Sequence, residues 1–164
     1  MHLDIDERVL ATYYHHYTPF VYSILKVISA TLPFYFLIYL FKDALDFNTI
    51  FFLHLFVVSL FSLVTIYVTL VFWLDRLIVT NKRLIFIDWR YLSIKSEYET
   101  ELKDVQDITS IERGVFAILP IFDYGTIEIK TSSNQTTIIF KEAPNPNGIK
   151  KFIQSLLIHP HNNP

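Results

Sequence analysis

The chain has 164 residues, 52% of them hydrophobic, and no cysteine, so its apolar share exceeds the roughly 45–50% of an ordinary soluble domain while disulfides and thiolate metal centres are excluded. Residues 75–164 carry eleven Lys and Arg against eleven Asp and Glu. That balance argues against nucleic acid as a partner, because polyanion binders show a basic excess.

The hydrophobicity is unevenly placed. From Phe20 to Leu74 the charged residues are Lys26, Lys42, Asp43 and Asp46 alone, and the chain after Asp75 is mixed and polar. Residues 1–19 open with Asp4, Asp6 and Glu7 where a cleaved signal would have a basic segment, so the first apolar run is expected to be retained. Val9, Leu10, Tyr13, Tyr14 and Tyr17 follow at helical spacing and predict a helix at the membrane surface. Tyr13, Tyr14, Tyr17, Tyr22 and Trp73 cluster at the edges of the apolar runs, as aromatic belts do at headgroup depth.

Phe20 to Phe41 is 22 residues with one charge, which as a helix spans roughly 33 Å, close to the ~30 Å of hydrocarbon in a bilayer. Lys26 can reach the interface with its stem, and Pro33 is tolerated where neighbours satisfy the freed carbonyl. Residues 48–74 form a second run of 27 residues without a formal charge. Its Val, Ile, Thr and Phe content would favour a strand in water, but lipid imposes a helix, since no open strand satisfies its backbone there. The short connection 42–47 makes the pair an antiparallel hairpin. Arg8, Arg76, Lys82, Arg83 and Arg90 flank it on the terminal side and Lys42 alone lies in the connection, so both termini are expected in the cytoplasm of a multi-pass inner or plasma membrane protein. Asn134-Gln135-Thr136 is a glycosylation sequon only under the opposite topology.

Short β-rich runs follow at Leu77 to Thr80, Arg83 to Asp88, Leu92 to Tyr98, Ile108 to Glu112, Thr126 to Thr131 and Thr136 to Lys141. Asn81-Lys82 and Ser132 to Gln135 suit tight turns. The last element is a helix: Asn145 caps it, Pro146 fits its first turn, and Ile149, Phe152, Ile153, Leu156 and Leu157 make one apolar stripe. Residues 159–164 read as a tail.

Val79-Thr80-Asn81-Lys82-Arg83-Leu84-Ile85, Leu102-Lys103-Asp104-Val105-Gln106-Asp107-Ile108, Tyr124-Gly125-Thr126-Ile127-Glu128-Ile129 and Asn145-Pro146, set behind two membrane spans, resemble the bacterial pleckstrin-homology-like (PH-like) proteins of the YdbS type. The resemblance implies an α+β, mainly β domain over 75–158: a seven-stranded, partly open antiparallel barrel with a C-terminal capping helix. Eukaryotic relatives hold phosphoinositides through a Lys-x-n-Arg-x-Arg pattern between their first strands. Lys82, Arg83 and Arg90 lie in that region without matching it.

Four groups of residues are candidates for function. Arg76, Lys82, Arg83 and Arg90 are lipid-headgroup candidates, each worth about 1 kcal/mol beside an anionic leaflet, against a role in topology and solubility. Phe116, Leu119 and Phe122 are hydrophobic docking candidates, against closure of the core. Ser59, Ser62, Thr65 and Thr69, with His54 nearby, suit packing between helices or a polar path. Glu97, Glu99 and Glu101 alternate along one strand face, either as a cation site or as a solvated face. His15-His16 and His159-Pro160-His161 lack a ligand spacing, so no metal is expected.

With three glycines in the chain and no phosphate loop, nucleophile elbow, HExxH or GxGxxG, neither catalysis nor a cofactor is expected. The reading is a membrane-anchored binding or scaffolding module at the cytoplasmic face, recognising protein partners, a second copy of itself or anionic lipid headgroups. The alternative is an accessory subunit of a larger membrane assembly, in transport or envelope maintenance, that packs through its hairpin.

Overall fold

A computed structural model of the protein describes residues 4, 6–112, 122–132 and 137–158, with Arg90 and Tyr91 described in backbone only. In chain order the elements are β1 (Val9–Tyr14), α1 (Tyr17–Phe41), α2 (Phe47–Leu74), β2 (Arg76–Thr80), β3 (Arg83–Tyr91), β4 (Ile94–Glu101), a 3-10 turn (Leu102–Asp104), β5 (Val105–Glu112), β6 (Tyr124–Thr131), β7 (Thr137–Pro144) and α3 (Pro146–Ile158). They form two compact units, one of Met1–His16 with Trp73–Pro164 and one of Tyr17–Phe72.

At the N-terminus the structure departs from the helix expected there. Val9–Tyr14 is a strand and not a surface helix, and it pairs antiparallel with β2, placing Tyr14 opposite Arg76 and Tyr13 opposite Leu77. The β unit therefore starts before the helical pair, and a boundary at Asp75 omits its first strand. The register shifts between Val9 and Ala11. Such a bulge puts two successive residues on one face, and Leu10 and Ala11 both pack against the core.

Among the described residues seven strands lie in two antiparallel sheets, ordered β1-β2-β3-β4 and β5-β6-β7. The number of described strands and the C-terminal helix agree with the resemblance, but one of the seven is the N-terminal strand, and the described strands form two sheets where a partly open barrel is expected. Leu77, Val79, Leu84 and Phe86 of the first sheet meet Ile127, Ile129, Ile138 and Phe140 of the second, and Ile149, Ile153 and Leu156 of α3 enter the same core. At roughly 1.5–3 kcal/mol for each fully buried large aliphatic or Phe side chain, this cluster supplies most of the drive to fold the unit. The last residues before α1 tie the sheets together, because the His16 N–H donates to the Glu142 carbonyl at 2.8 Å and His15 Nδ1 lies 2.7 Å from the Lys141 carbonyl.

α3 begins as its residues dictate. Asn145 adopts a φ of 41° and its Oδ1 accepts the Gly148 N–H at 2.9 Å. Gly125 permits the close approach of β6 to β5, since a Cβ there would lie 2.1 Å from the Ile111 carbonyl oxygen.

In the helical unit Asp46 caps α2, accepting the Thr49 N–H at 3.2 Å and the Thr49 hydroxyl at 2.6 Å. Ile38 of α1 and Val57 of α2 are buried, Phe20 stacks on Phe72, and Phe34 meets Phe61 edge-on. The inward row of α2 thus runs through Val57, Phe61, Thr65, Val68 and Phe72. Thr65 and Thr69 are half-buried and donate to the carbonyls of Phe61 and Thr65. Ser59 and Ser62 are exposed, so only two of the four packing candidates lie toward that row. Both helices are long and apolar enough to cross a membrane, and their outward side chains, among them Leu25, Ile28, Leu32, Phe52, Phe56 and Leu63, are apolar and exposed. A water-soluble helix pair has the opposite pattern, with a polar outer face.

Candidate functional site

The four candidate cations do not form one patch. Lys82 and Arg83 sit at the β2–β3 turn, whereas Arg76 faces Ile87 near the other end of that hairpin, where the Arg90 backbone also lies. Four to five strand residues, roughly 15 Å, separate the two places.

At the turn, Arg83 is committed to a clamp on the N-terminal segment. Its Nε and Nη2 donate to Glu7 Oε1 and Oε2 at 2.9 and 3.0 Å, and its Nη1 donates to Glu99 Oε2 at 2.6 Å. The Thr80 hydroxyl lies 2.8 Å from Glu7 Oε1 and accepts the Arg83 N–H, and the Asp4 N–H donates to Glu7 Oε2. Asn81 completes the clamp: its Oδ1 accepts the Arg8 N–H at 2.8 Å and its amide donates to the Asp6 carbonyl at 3.0 Å. The Glu7 side chain is fully buried. Burial alone would raise its pKa, but the hydrogen bonds from Arg83, the Asp4 N–H and Thr80 favour the carboxylate more and hold it at about 2. The hydrogen bond to Glu7 in turn raises Arg83. Arg83 is therefore a structural residue, and of the candidates at this turn Lys82 alone extends an exposed side chain.

The strand of alternating glutamates is likewise neutralised. Glu97 pairs with Lys95 at 2.6 Å, Glu99 with Arg83, and Glu101 with Lys103 at 2.5 Å. A cleft of about 820 Å³ between the β2–β3 turn and α3, lined by Lys82, Arg83, Glu99, Glu101, Leu102, Lys103 and Leu156, consequently offers no dominant charge to a ligand. Among the described residues no three His, Asp or Glu side chains gather for a metal.

At the opposite end, Asp75 joins α2 to β2. Its Oδ1 accepts the Trp89 N–H at 2.6 Å and its Oδ2 lies 3.4 Å from His15 Nε2. His16 is buried and stacked on Tyr124, and burial lowers its pKa, partly opposed by Asp123. The paired histidines are thus structural joints. Tyr14 lies against Trp73, ring centroids 6.5 Å apart. Arg76 is half-buried, and its Nε is buried without a hydrogen-bond partner. Phe122 is half-buried, and Phe116 and Leu119 lie outside the described residues.

Sequence reasoning passed over Glu7, Asn81, Asp75 and His15 as site-building residues. Their partners lie far away in the chain, 76 positions for Glu7 and Arg83 and 126 for His15 and Lys141, and no local spacing reports such a contact.

No family model and no curated protein matches the chain. A solved structure, that of a DUF1696 family protein with a pleckstrin-homology domain from Shewanella loihica PV-4, is similar over 51% of this chain and 70% of that one, at 22% identity and a TM-score of 0.39.

Proposed function

We propose that the chain is a membrane-anchored, PH-like binding or scaffolding module without catalytic activity, held at the cytoplasmic face. The carrying observation is that two helices of membrane length, apolar on their outer faces, enter the chain between two strands that pair with each other. One residue, Asp75, separates α2 from β2, and two, His15 and His16, separate β1 from α1. Such links confine the β unit to the surface of the bilayer that holds the helices, which raises its effective concentration toward partners there without adding a contact. The excess of Lys and Arg on the β-unit side of the helices supports the cytoplasmic orientation.

The chain has no cysteine, so single substitutions D43C and K150C give clean labels. In intact cells a membrane-impermeant maleimide is expected to label D43C and to reach K150C only after permeabilisation. The reverse pattern would overturn the orientation, and release of the protein by alkaline carbonate would overturn the anchoring.

The exposed Ser59 and Ser62 on the outer face of α2 favour a second reading, an accessory subunit whose helices pack against other spans, since hydroxyl residues suit helix contacts in lipid. A photocrosslinker at Ser62 that captures a membrane protein supports it. Capture through the β unit alone supports the first reading.

A further inference from the structure

Arg76 follows α2 by one residue and stands between Tyr14 of β1 and Ile87 of β3. Leu77 points into the main core, so strand alternation sends Arg76 to the opposite face of the sheet. Ile78, Ile85 and Ile87 pack with Trp89 on that face. There its Nε is buried with no acceptor, and its guanidinium has no ion-pair partner among the described residues. A charged donor withdrawn from water without an acceptor is costly.

The carboxylates of the neighbouring strands are turned or engaged elsewhere: alternation sends Asp88 to the face opposite Ile87, and Asp75 is held by His15 and the Trp89 N–H, Glu97 by Lys95, and Glu99 by Arg83. Beside Arg76, Trp73 is 64% and Tyr14 41% exposed. Exposed Trp and Tyr at the end of a membrane-length apolar helix belong at headgroup depth, where their rings meet the acyl boundary and their polar ends meet water and ester groups. A guanidinium at that depth forks onto phosphate oxygens in a way an ammonium does not.

We propose that Arg76 binds the phosphodiester of an anionic membrane phospholipid, seated in the corner formed with Tyr14 and Trp73. This rests on the anchored reading above and narrows the four lipid-headgroup candidates of the sequence to Arg76. A zwitterionic lipid carries its own ammonium beside the phosphate, so the site favours a headgroup such as phosphatidylglycerol.

The chain has two tryptophans, Trp73 and Trp89, and both report on this corner. The full-length protein is reconstituted into phosphatidylcholine vesicles containing equal mole fractions of either dibrominated phosphatidylcholine or dibrominated phosphatidylglycerol, and tryptophan quenching is read. Both lipids are expected to quench, with an apparent preference of about fivefold for phosphatidylglycerol, as one cation near the surface provides. R76Q, or R76M if R76Q does not reconstitute, lowers the ratio to about one, whereas K82Q leaves it at fivefold. Replacing chloride by inorganic phosphate at constant ionic strength leaves the ratio unchanged, and loss of the preference there would make the ligand a soluble anion and overturn the proposal. Equal quenching by the two lipids in the native chain, or an unchanged ratio in the Arg76 variants, would also overturn it. Absence of quenching by either lipid would instead overturn the anchored reading itself.

Discussion

Glu7 and Arg83 stand 76 positions apart and share two hydrogen bonds, 2.9 Å from Nε to Oε1 and 3.0 Å from Nη2 to Oε2. The pair fastens the segment before β1 to the turn between β2 and β3. It thereby closes across the two long helices what the chain separates.

Removing the carboxylate charge should loosen that closure. E7Q is expected to cost about 2–3 kcal/mol, the range for hydrogen bonds to charged groups whose partner is left under-satisfied. Denaturant midpoints of the detergent-solubilised protein measure it, and a double cycle with R83Q should show the two losses to be strongly non-additive. Additive losses would mean that the two side chains do not act together.

Acid should act in two separate windows. Glu7 is held at about 2, below its ordinary 4.5, so the folded state disfavours its protonation. The contribution is complete above about 4.5 and is lost as pH falls toward 2. His16 is lowered from 6.5 by burial, and the unfolded chain takes up that proton more readily. Its contribution is present above about 6.5 and fades as pH falls below it. Melting temperatures recorded from pH 8 to 3 should therefore decline in both windows, E7Q flattening the lower one and H16Q the upper.

Gly125 offers a test of sheet geometry. G125A places a methyl group against the Ile111 carbonyl oxygen, 2.1 Å from its ideal position, and β5 or β6 has to give way. A loss of about 2–3 kcal/mol is expected, at the high end for a single substitution, with hydrogen-exchange protection falling first at Thr126 and Ile127. Full stability in G125A would show that the two strands are not so close.

The domain boundary can be tested by cutting. A fragment of residues 75–158 lacks β1 and Glu7, so it should be molten or insoluble. A chain joining residues 4–16 to 75–158 through a short linker, feasible because Tyr14 faces Arg76 and retaining the His15 and His16 contacts with β7, should give dispersed amide NMR signals. A well-folded 75–158 fragment would restore the boundary expected from sequence.

The parts legible in the sequence were those whose physics is local. The two long apolar runs needed only composition and length, and Ile149, Ile153 and Leu156 marked the inward face of α3 by their spacing. β1 hides in the sequence because its bulge turns Leu10 and Ala11 to the same side, spoiling the alternation that identifies a strand, while Val9, Leu10, Tyr13 and Tyr14 mimic a helical stripe. Its partner is beyond the reach of any local window. The same distance hid the commitment of Arg83, which from sequence is one cation among four and in the fold is the partner of Glu7 and Glu99.

The insertion of the helices between β1 and β2 also orders the birth of the protein. β1 leaves the ribosome first and then waits, unpaired, while both long helices are synthesised ahead of the strand it needs. Since contacts of high sequence separation form late, the β1–β2 ladder is completed only after both helices have been made. β1 therefore spends the synthesis of about sixty residues without the strand that completes its ladder, and the sheet closes from its C-terminal side.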